Sequence, residues 1–106
     1  MRSKKPAEAK RAALPRAADF SKGFHKDWER PGRSGRFDLK RLKEVMLLLI
    51  ANDAPLGSEW FDHALKGEWA DHRECHVGGD FMLIYTADDR QITFVRAGTH
   101  ADLFEG

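Results

Sequence analysis

Apolar positions change period near the middle of this chain. Phe20, Phe24 and Trp28 recur every four residues, the spacing of one helix face, and predict a helix over about 17–29. Pro31 ends it, and PGRSG at 31–35 reads as a turn with two glycines. Leu39, Leu42, Val45, Met46, Leu49 and Ile50 mark a second helix over about 38–52, stopped by Asn52, Asp53 and Pro55. The short link favours an antiparallel helix pair.

Beyond the helices the period shortens to two. Over 68–77 (EWADHRECHV) alternation puts Trp69, Cys75 and Val77 on one face, with Ala70, His72, Glu74 and His76 on the other. Gly78-Gly79 signals a tight hairpin into the strand Phe81–Tyr85, and TADDR at 86–90 turns the chain into a third strand, Gln91–Arg96. A short strand near 11–15 (RAALP) would be confined by Pro15 to an edge or a strand end. The expected fold is therefore α+β: two antiparallel N-terminal helices packed on a small, mainly antiparallel sheet.

Composition narrows the class. With 106 residues, 42% apolar and 33% charged, the chain reads as one domain over 1–106, with 1–13 a flexible basic arm lacking apolar periodicity. The longest apolar run, Val45–Ala51, has seven residues, whereas a membrane span needs about 20. No signal-peptide segment follows the basic N-terminus, and the single cysteine, Cys75, fits a reducing compartment, so the expected location is cytoplasmic.

The net charge of +1 conceals a split. Residues 1–43 hold 14 Lys/Arg against 5 Asp/Glu, and residues 44–106 hold 4 against 12. The basic half fits a polyanion partner equally well as a basic arm followed by a solvated helix face.

Candidate chemistry centres on histidine. No phosphate-binding loop, dinucleotide fingerprint or common zinc signature is present, yet His63, His72, His76 and His100 all fall after residue 62. On a strand, His72 and His76 would stand about 13 Å apart, too far to share one zinc ion. A site built from His63, His76, His100 and Asp80 would lack any sequence signature, and the expectation is no metal. Cys75 falls on the face expected to be buried, where a thiol is inert packing. A third chemistry these residues could serve is acid–base cleavage of RNA, beside the plainer reading of surface histidines and of Phe104 as a core anchor for the C-terminus. Such cleavage needs imidazoles to move protons near neutral pH, an arginine for the charge growing on the phosphate, and an aromatic ring to stack a base. RAGTHADLF at 96–104 supplies Arg96, His100 and Phe104 together, with His63 or His76 as a second imidazole.

Two stretches, FDHALKGEWADHRECHVGGDFMLIY (61–85) and FVRAGTHADLF (94–104), carry a family resemblance. Their motifs follow in order: D-H-x-L-x-G-x-W, R-[DE]-x-H-V-x-x-D, an apolar strand ending I-Y, and R-x-G-T-H-x-x-L-F. The chain resembles RelE/ParE-superfamily toxins of the YafQ type, ribosome-dependent mRNA interferases. That resemblance implies a RelE-like fold with a short C-terminal helical turn. It also implies a proton-transfer role for His63, a site lined by His76 and Asp80, and a phosphate-stabilising Arg96. His100 would be the general acid, Phe104 a substrate-positioning ring, and Phe81 an aromatic surface where the family has Trp. It implies no metal or other cofactor, a DinJ/RelB-like antitoxin, the ribosome and mRNA as partners, and a monomeric free toxin. The alternative in the same superfamily is a non-catalytic ParE-like toxin that binds DNA gyrase. The chain departs from the family in its extra basic N-terminal residues and its longer link between the helices.

Overall fold

The computed structural model describes residues 14–29 and 39–105, so the basic arm 1–13 and the turn 31–35 lie outside the described residues. Strands β1 (Ala17–Phe20), β2 (His63–Ala64), β3 (Arg73–Gly78), β4 (Phe81–Ala87) and β5 (Gln91–Thr99) form one sheet in the order β1-β5-β4-β3-β2. β1 runs parallel to β5, and every other pairing is antiparallel. Two helices, α1 (Lys22–Trp28) and α2 (Leu39–Ala51), and a C-terminal π-helical turn (Ala101–Glu105) complete the α+β fold.

The first helix is shorter than its periodicity suggests. Residues 17–20 are strand, because Phe20 pairs with Phe94 across the sheet. Ser21 then caps α1 by accepting the Phe24 amide at 3.0 Å, so the helix begins only at Lys22. The four-residue spacing persists because Phe20 and Phe24 stack on each other and on Phe94, whichever element carries them. The edge strand expected near 11–15 is displaced accordingly: Leu14 and Pro15 precede it, and Leu14 is exposed.

α2 matches its pattern, with Leu42, Val45, Met46 and Leu49 facing inward and Asn52 closing it in the left-handed region at φ 59°. They meet Cys75, Val77, Leu83, Tyr85, Ile92 and Phe94 from one sheet face, with Trp60 closing the layer. Full burial of each large side chain contributes about 1.5–3 kcal/mol, which makes this face the main core. The β3–β4 hairpin forms at the expected glycines, Gly79 taking φ 54°.

The opposite face carries a smaller apolar cluster, Met82, Ile84 and Leu103, flanked by Leu65, Trp69 and Val95. Trp69 is therefore on the face opposite Cys75 and Val77. The alternation fails there because β3 starts only at Arg73, after a 3-10 turn over Gly67–Trp69. Among the described residues no helix is long and apolar enough to cross a membrane.

Candidate active site

The D-H pair at 62–63 splits across the sheet. Asp62 accepts from Arg73 Nε at 3.0 Å and Nη2 at 2.8 Å, and also from the Tyr85 hydroxyl. That anchor fixes its neighbour His63, which pairs with Glu74 in the ladder and projects on the smaller-cluster side. Phe61, in the left-handed region at φ 48°, turns its carbonyl toward the ring, 2.9 Å from His63 Nδ1. A carbonyl only accepts, so Nδ1 holds the proton and Nε2 is the exchangeable nitrogen.

His63 Nε2 stands 3.1 Å from Glu74 Oε1, and His76 Nε2 lies 3.9 Å from the same oxygen. Glu74 is 5% exposed, while Glu74 Oε2 is buried without a hydrogen-bond partner. The three ligand-type atoms of His63, Glu74 and His76 lie within 4.8 Å of one another. Two imidazoles and one carboxylate suit zinc or copper, so this cluster has the donor set for a divalent ion. It is a different group from the His63, His76, His100 and Asp80 set weighed from sequence. Glu74 was missed there, although alternation put it on the same face as His76.

The register assembles the rest. Across the sheet, His63, Glu74, Ile84 and Arg96 form one row, and His76, Met82 and Gly98 form the next. Paired residues share a face, so both histidines and Arg96 project on the same side. The C-terminal turn crosses this side at Gly98, where an added Cβ would come within 3.1 Å of Asp102 Cβ and 3.3 Å of Leu103 Cδ2. His100 and Phe104 therefore enter the same region, their ring centroids 4.7 Å apart, with Phe104 edge-on to Trp69 at 6.1 Å. His63 and His76 are 6.1 Å apart by ring centroid, and Phe61 packs on His76 at 5.6 Å.

Arg96 owes its direction to a β-bulge. The β4–β5 register shifts between Ile84 and Tyr85, so that Ile84 faces Arg96 while Tyr85 faces Phe94, leaving Val95 unopposed. The Arg96 guanidinium pairs with Asp27 of α1, Nε at 2.7 Å and Nη2 at 3.1 Å. These hydrogen bonds push its pKa further up, so the group stays a cation.

Two of the expected residues stand apart. Asp80 is exposed in the hairpin turn beyond His76. Phe81 is 6% exposed and packs in the helix-side core, on the face opposite the histidines. Cys75 is buried in that core, and desolvation pushes its thiol pKa up, consistent with inert packing.

Comparison with known proteins identifies the family and the fold. Residues 16–105 match the family described as YafQ, a bacterial toxin of type II toxin-antitoxin systems. The mRNA interferase toxin YafQ of Escherichia coli is 38% identical over 91 residues, covering 86% of this chain and 98% of the relative. The E. coli DinJ–YafQ toxin-antitoxin complex contains a chain 38% identical with a TM-score of 0.76, covering 86% of this chain and 99% of that one. A metal-bound toxin from Helicobacter pylori is 38% identical with a TM-score of 0.70, covering 83% of this chain and 98% of that one. With a family match across 16–105 and this identity over nearly the whole relative, the chain belongs to the YafQ family of type II toxin-antitoxin toxins.

Proposed function

We propose that this toxin is a ribosome-dependent endoribonuclease that cleaves mRNA by general acid–base chemistry at the sheet face bearing His63, His76, Arg96 and His100. The observation that carries the reading is the common projection of both histidines, Arg96 and the C-terminal turn. The similarity to a relative named as an mRNA interferase supports the same chemistry.

In this reading His63, backed by Glu74, takes the proton of the RNA 2′-OH at Nε2. The resulting imidazolium is stabilised by the carboxylate 3.1 Å away. The 2′-oxygen attacks the adjacent phosphorus, and the negative charge that develops on the phosphate oxygens is met by Arg96. His100 donates a proton to the departing 5′-oxygen, leaving a 2′,3′-cyclic phosphate that water can open to a 3′-phosphate. His76 lines the site beside His63, and Phe104 offers a ring face on which a base can stack. Phe81 supports the site from the core beneath it.

The partner is a DinJ-like antitoxin, a reading supported by the DinJ–YafQ complex of the E. coli relative. The basic N-terminal half contacts ribosomal RNA, which makes binding fall steeply with added salt. The toxin acts in the cytoplasm. A divalent ion on His63, Glu74 and His76 would occupy the proposed base, and the metal-bound H. pylori relative supports that capacity.

The test is cleavage of mRNA programmed on ribosomes, with the same mRNA also supplied free. Cleavage only on the ribosome, absent in His100→Ala of unchanged thermal stability, is the expected result. A folded wild-type protein that cuts neither form overturns the nuclease reading in favour of a toxin that binds a target such as gyrase.

A further inference from the structure

α1 is built around the β5 bulge. Ser21 Oγ donates to the Val95 carbonyl at 2.6 Å, while Asp27 Oδ2 accepts the Ala97 amide at 2.9 Å. One short helix thus provides partners on both sides of Arg96, at the carbonyl before it and the amide after it. Gly23 makes room for the side chain between them: a Cβ there would lie 2.8 Å from Arg96 Cδ. Asp27 is 4% exposed, an expensive place for a carboxylate unless it is held by donors. It takes the Nε–Nη2 side of the guanidinium. A guanidinium has a second pair of parallel donors, one N–H on each terminal nitrogen, and this end points away from a partner bound on the Nε side.

We propose that Asp27 is a positioning residue for catalysis: with Gly23 it fixes Arg96 so that the terminal donor pair is presented to the scissile phosphate. The proposal rests on the phosphate role assigned to Arg96 above and adds what sets its direction. Without Asp27 the long side chain samples several rotamers, and donors that are fixed before the reaction lose that advantage. Asp27 itself does not touch RNA. Its effect therefore belongs to the chemical step rather than to substrate binding.

The experiment is single-turnover cleavage on programmed ribosomes by wild type, Asp27→Asn, Gly23→Ala, Arg96→Ala and the Asp27→Asn/Arg96→Ala double variant, each with its thermal midpoint measured. Asp27→Asn is expected to lower the rate at saturation by about 10- to 100-fold, with half-saturation changed less than about threefold. Gly23→Ala probes the same geometry without changing a charge, since its Cβ would meet the Arg96 stem at 2.8 Å. It is expected to slow cleavage by displacing that stem, with any loss of thermal midpoint read separately. In the double variant Asp27→Asn should add nothing to the loss caused by Arg96→Ala.

A normal rate in both Asp27→Asn and Gly23→Ala, with Arg96→Ala inactive, overturns the positioning role and leaves the phosphate role standing. Full activity of Arg96→Ala overturns the phosphate role itself. Equal, additive losses in the presence and absence of Arg96 also overturn the proposal, because Asp27 would then act on the fold alone.

Discussion

His63 and Glu74 face each other across β2 and β3 with 3.1 Å between Nε2 and Oε1, the imidazole half in solvent and the carboxylate buried. The carboxylate thus lies where a proton gained at Nε2 would be stabilised by a charge-assisted hydrogen bond.

Glu74→Gln removes the charge while keeping the shape. Cleavage at saturation should fall by about 100-fold, the scale of general-base assistance. A rate within threefold of wild type would place the carboxylate outside the chemistry. Single-turnover assays at one pH make the comparison.

The same cluster predicts inhibition by metal. Copper or zinc added to the free toxin should bind near one equivalent and suppress cleavage, with activity returning on chelation. Calorimetry on His76→Ala, which deletes one of the three donors, should show weakened binding. Unchanged affinity in that variant would locate the ion elsewhere.

Phe104 lies exposed at the C-terminal turn between His100 and Trp69. Phe104→Ala should weaken binding of RNA by about 1–3 kcal/mol, the worth of one base stacked on a ring. Leu103 beside it is buried, so Leu103→Ala should instead lower the thermal midpoint. Melting curves and binding isotherms separate the two.

Cys75 has no exposed surface, and burial raises its thiol pKa. Thiol reagents at pH 8 should leave it unmodified until the chain is unfolded. The linkage has a definite sign. The unfolded thiol ionises from about pH 8.5, whereas the folded one keeps its proton, so the stabilisation is complete below that pH and is lost above it. Denaturant titrations between pH 8.5 and 10 should show stability falling by up to about 1.4 kcal/mol per pH unit from this residue.

Sequence periodicity reached α2, the β3–β4 hairpin and β5 because each is specified by contacts within a few residues. β1 escaped it, since its identity depends on a parallel pairing of Ala17 with Gln91, far along the chain. Arg96 was identified by type and motif, but alternation from Ile92 and Phe94 would send it into the core. Only the bulge opposite Ile84 and Tyr85 delivers it to the histidine face. Glu74 had a visible signal, a carboxylate flanking His76 with the same projection, whose burial no local pattern encodes. Asp27 likewise falls three residues after Phe24 on the inward stripe of α1, a charge where an apolar residue is expected.

The pairing of β1 with β5 also orders events during synthesis. Until Gln91–Thr99 has been made, β1 has no strand to join and α1 has no bulge to cap. A nascent chain lacking those residues holds His63, Glu74 and His76 but neither Arg96 nor His100. On the proposed assignment such an incomplete toxin has neither its phosphate cation nor its acid, and the sheet that holds them closes only when the last strand is free.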